Sequence, residues 1–61
     1  MNIQSAIIKG INILKGKDIL TAKLDTEILM AKVLGEDRKY IILNNDKNLK
    51  YEKLINFEKL I

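Results

Sequence analysis

Apolar residues recur at helical spacing in four stretches of this chain, divided by short polar breaks. In the first, Ile3, Ile7, Gly10, Ile11 and Leu14 share one helical face, while Gln4, Lys9 and Asn12 fall off it. The pattern predicts a helix over Met1–Lys15. Gly10 lies on the apolar stripe, where it costs about 1 kcal/mol of helix propensity relative to alanine. Close approach of a neighbouring helix is the expected compensation. Lys15 then Gly16 reads as a stop, a cation at the negative end of the dipole followed by a residue that accepts positive φ. Gly16–Leu20 is a short connection. Thr21 is the expected N-cap of the next helix, its hydroxyl accepting from a free amide, and Asp18 offers an earlier start.

The second helix, Ala22–Leu34, is apolar on nearly every side. At about 100° per residue, Leu24, Ile28 and Ala31 share one face, Leu29 and Val33 lie nearly opposite, and Met30 and Leu34 fill a third sector. Such a helix is expected to be buried on more than one side, with the others packed around it. Gly35 ends it. Asp37 is the expected cap of a third, short helix, Arg38–Leu43, with Tyr40, Ile41 and Leu43 as its apolar contacts. Asn44–Asn48, NNDKN, reads as a surface turn. A fourth helix begins at Lys50 or Tyr51. Leu54, Phe57 and Ile61 form its stripe, with Leu49 and Leu60 beside it. The expected fold is all-α, a small four-helix array, orthogonal or bundle-like, around a central second helix. Ile61 falls in mid-pattern, so residues 1–61 are expected to be one helical domain, a fragment of a longer protein.

Composition narrows the chemistry. A chain of 61 residues buries only about 60% of the surface that its unfolded form exposes, so its stability is expected to be marginal. It has no cysteine and no histidine, which removes disulfides, the usual zinc ligands and Cys–His catalysis. Lack of cysteine fits a reducing compartment. No apolar run is long enough to cross a bilayer, and MNIQSAIIKG has neither a charged leader nor a small-residue cleavage site. The expected location is cytoplasmic. The net charge of +3 comes with many lysines, asparagines and isoleucines, the residues an AT-rich coding sequence supplies, so it carries little weight as a nucleic-acid signal.

Few residues remain for a site. Gly10, Gly16 and Gly35 are too dispersed for a phosphate loop, and no strand precedes them. Asp25 and Glu27 diverge by about 200° on a helix, so they share neither a proton nor a metal. Both support the positive end of the second helix. A partly buried Glu27 needs a partner, and Arg38 is the only arginine. An ion pair of Arg38 with Asp25 or Glu27 is therefore expected. Asp25, Glu27 and Arg38 are the candidate structural or partner-binding residues; no catalytic, cofactor or metal residue is assigned. Lys47, Lys50 and Lys53 form a loose basic group that reads as a solvated face.

Residues Leu24–Arg38, LDTEILMAKVLGEDR, resemble the N-terminal helical domain of the HemK/PrmC methyltransferases. The family pattern here runs approximately Ser-Pro-Arg-Leu-Asp-Ala-Glu-Leu-Leu-Leu-Ala-x-Val-Leu-Gly-x-Asp-Arg. Thr21 stands at the serine and Lys23 at the arginine; Leu24, Asp25, Glu27, Ala31, Val33, Leu34, Gly35, Asp37 and Arg38 match. The resemblance covers nearly the whole chain. Ala22 replaces the common proline, and Lys50 the usual serine cap of the last helix. The resemblance implies a protein that transfers a methyl group from S-adenosylmethionine to the glutamine of the Gly-Gly-Gln motif in bacterial release factors. The family's Asn-Pro-Pro-Tyr motif and glycine-rich cofactor loop belong to a downstream catalytic domain, so this piece is implied to be non-catalytic alone. Its implied partners are the release factor and that catalytic domain. Two other readings stay open, a free-standing helical nucleic-acid-binding module and an interaction module of some other enzyme. Against the first, Arg38–Leu43 would offer a groove only Arg38 and Lys39.

Overall fold

The computed structural model describes residues 1–61 as four helices: α1 (Ile3–Gly16), α2 (Ala22–Leu34), α3 (Arg38–Leu43) and α4 (Tyr51–Leu60). The fold is all-α. The second helix is central, packing against α1, α3 and α4 in turn. The core is Ile3, Ala6 and Ile7 of α1, Met30 and Ala31 of α2, Ile41 of α3 and Phe57 of α4. Each helix therefore contributes to one apolar cluster.

Gly10 meets the expectation set by its place on the stripe. A Cβ there would lie 2.8 Å from Thr26 Cγ2, 2.8 Å from Ile61 Cδ1 and 3.1 Å from Phe57 Cζ. The missing side chain is what lets α2 and the end of α4 close on α1.

The helix ends match in part. Gly35 has φ 67°, and the Glu36 and Gly35 amides donate to the Ala31 and Lys32 carbonyls at 2.9 and 3.3 Å, a Schellman closure. Asp37 Oδ1 accepts from the Tyr40 amide at 2.9 Å, the cap expected of it. Gly16 does not take the left-handed role. That falls to Asp18, at φ 60°, with Ile19 N–H donating to the Leu14 carbonyl at 3.1 Å and Asp18 N–H to that of Lys15 at 3.0 Å. Aspartate tolerates this conformation, so the Schellman closure forms two residues beyond the glycine. Thr21 is the N-cap residue of α2, but its hydroxyl donates to Asp25 Oδ2 at 2.9 Å and accepts no backbone bond.

Two expectations about burial need correcting. Leu24 and Ile28 are 40% and 47% exposed, whereas Thr26 is buried, and Glu27 is buried as its expected pairing implied. The arc of α2 that faces the other helices runs through Ala22, Thr26, Met30, Glu27 and Ala31. It covers about half the circumference at roughly 100° per residue, leaving the Leu24–Ile28 edge outside. Thr26 is tolerated at the centre because its hydroxyl donates to the Ala22 carbonyl at 2.7 Å. Leu43 is also exposed; only Ile41 of the six-residue α3 is fully buried.

The polar turn at 44–48 does more than connect. The Lys47 and Asn45 carbonyls accept from the Ile3 and Gln4 amides at 2.9 and 2.8 Å, and Leu49 N–H donates to the Met1 carbonyl at 3.0 Å. Asn2 Oδ1 accepts from Ser5 N–H at 2.7 Å. The free amides of the first turn of α1 are thus met by a distant loop as well as by a local cap.

Candidate docking surface

Of the three polar residues singled out from the sequence, the structure joins two. Glu27 leaves α2 on its inner side, and Arg38 opens α3. Arg38 Nη2 donates to Glu27 Oε1 at 2.9 Å. The glutamate side chain is 10% exposed and the arginine 49%. A carboxylate taken almost wholly from water keeps a charged partner there. The bond spans the Gly35 stop and fixes how α3 leaves α2. Asp25 stays apart, paired with Thr21 on the other side of α2.

The same region carries apolar surface. Leu20, Thr21, Lys23 and Leu24 border a shallow groove whose far wall is Glu27 and Arg38. Leu20 is fully exposed, and Leu24 and Ile28 continue from it at four-residue steps. At about 100° per residue this row runs between Asp25 and Glu27. It is an apolar ridge with a carboxylate on one side and the half-exposed guanidinium on the other. Sequence reasoning placed Leu24 and Ile28 in the core and Leu20 in a plain connection. The signal that could have separated them is the buried arc itself, since Ala22, Thr26, Met30 and Ala31 include the small residues that close helix packing favours.

No three potential metal ligands gather in one place. The glycines lie at a helix contact, a helix end and a helix stop.

The class these features define is a small all-α domain with one pinned helix junction beside an exposed apolar ridge. A model of the PrmC N-terminal domain family matches residues 5–61, and the chain belongs to that family. A release factor glutamine methyltransferase from Clostridium botulinum (strain Hall) is 33% identical over 61 residues, covering 100% of this chain and 22% of the relative. The chain thus spans about a fifth of the length of the curated relative it matches. No solved structure gives a significant match. No helix is long and apolar enough to cross a membrane.

Proposed function

We propose that this domain holds a bacterial peptide-chain release factor for a methyltransferase that modifies the factor's glutamine. Family membership over residues 5–61 carries this reading, together with the likeness to the Clostridium botulinum release factor glutamine methyltransferase. In this reading S-adenosylmethionine is the methyl donor and is bound by a catalytic domain outside these residues. The domain contributes grip and orientation to the reaction, and binding energy from such remote contacts is what positions the reacting groups. The setting is the cytoplasm, where release factors work.

The face assigned to the release factor is the Leu20–Leu24–Ile28 ridge with Arg38. It joins apolar area to one positioned guanidinium, the combination that protein interfaces concentrate at their centres. The Glu27–Arg38 bond holds that guanidinium in place before binding, which lowers the ordering cost.

Titration calorimetry of the chain with a release factor tests this. Leu24→Ser with Ile28→Ser is expected to weaken binding by about tenfold or more, in line with loss of a central apolar anchor. Unchanged affinity in that variant would move the contact elsewhere. Binding by the unaltered chain to duplex DNA, steeply weakened by salt, would favour the nucleic-acid reading instead.

A further inference from the structure

Lys47, Lys50 and Lys53 border one shallow groove floored by Tyr40, Leu34 and Leu49. No carboxylate lines it. The two ion pairs of the chain, Lys9–Glu58 and Glu27–Arg38, lie elsewhere. Lys47 Nζ sits 5.6 Å from the centre of the Tyr40 ring, so its stem is held at the groove by a cation–π contact. Lys50 is the N-cap residue of α4, and Lys53 lies in the first turn. Both cations sit at the positive end of the helix, where the dipole opposes them. Glu52 is the one acid of that turn, and Asp46 precedes Lys47. Neither pairs with these lysines. No carboxylate of the chain neutralises the three cations at this groove.

We infer that this groove binds an acidic peptide segment of a protein partner, its carboxylates on Lys47, Lys50 and Lys53 and its apolar side chains on the Leu34–Tyr40–Leu49 floor. The apolar floor favours a peptide over a nucleic acid, because a phosphodiester backbone gains nothing from it. Tyr40 is the one aromatic residue of the groove, so no stacking platform for successive bases forms. The groove shares no residue with the Leu20–Arg38 groove, so this inference stands or falls independently of the release-factor reading.

Fluorescence anisotropy with a short labelled peptide of alternating glutamate and leucine tests it, beside the glutamine–leucine analogue and single-stranded and duplex DNA. Two charge-reversed variants are compared: Lys47→Glu with Lys50→Glu and Lys53→Glu, and the matched set Lys15→Glu with Lys32→Glu and Lys59→Glu. Circular dichroism verifies that both keep their helix content, and the corresponding glutamine variants replace either one that does not. The acidic peptide is expected to bind and its glutamine analogue not to. The groove variant should weaken binding by about tenfold or more, and the matched variant by less than about twofold, since dispersed surface charge is screened. Equal losses in the two variants, no saturable binding of the acidic peptide, or tighter binding of either DNA would overturn the inference.

Discussion

Glu27 and Arg38 show how much one pair can decide. The carboxylate is nearly withdrawn from water and the guanidinium half-exposed, so removing the arginine strands a charge that has lost its hydration. Arg38→Ala is expected to lower stability by about 1 kcal/mol, the low end of the range because one partner is solvated. Arg38→Lys, which can still reach Glu27 as a point charge, should lose less. Urea unfolding midpoints at constant m-value measure both; equal losses would mean that a point charge at position 38 recovers none of the stability. The glycines make a second comparison. Gly10→Ala pushes a methyl into Thr26 and Phe57, two buried side chains. The overpacking cost of about 1–3 kcal/mol is expected to exceed the propensity gain of roughly 1 kcal/mol, so the variant is less stable. Gly16→Ala meets nothing within 4 Å and has ordinary φ, so it should raise stability by about 0.5–1 kcal/mol. Thermal unfolding that moved both variants in the same direction would contradict the packing described at Gly10.

At the scale of elements, the hydrophobic pattern was enough for much of the fold. The bounds Ala22–Leu34 and Arg38–Leu43, the Gly35 stop and the Asp37 cap all follow from local rules, and the structure repeats them. Asp37→Ala should therefore cost about 1 kcal/mol through loss of the cap, read as a lower unfolding midpoint. What the pattern could not give was which face of α2 turns inward. A helix apolar on every side has no single direction, and the choice was made by small residues. Ala22, Thr26 and Ala31 allow close packing, leaving Leu24 and Ile28 outside. The Arg38 pairing was legible because a single arginine and two acids left few options; that Glu27 and not Asp25 takes it depends on the same inward turn. Asp18 in place of Gly16 at the left-handed position was not legible, since both sit within one short connection.

For the whole molecule, α1 is closed by a loop more than forty residues away in sequence. Its first-turn amides at Ile3 and Gln4 bond to the carbonyls of Lys47 and Asn45. Hydrogen exchange should find these two amides protected to nearly the global limit, whereas those at the start of α4, which no side chain caps, exchange fast. Fast exchange at Ile3 and Gln4 would mean that the 44–49 segment opens independently. A domain this small has little stability to spare, so its ridge and its basic groove are built on the solvent side of elements whose other faces make the core. The ridge carries the central functional claim. The most direct test is a nitrogen–proton correlation spectrum of the labelled chain titrated with an unlabelled bacterial release factor. The account predicts progressive shifts at Leu20, Leu24, Ile28 and Arg38, with the core amides of α1 unmoved. No shift at saturating release factor, or shifts confined to other faces, would contradict it.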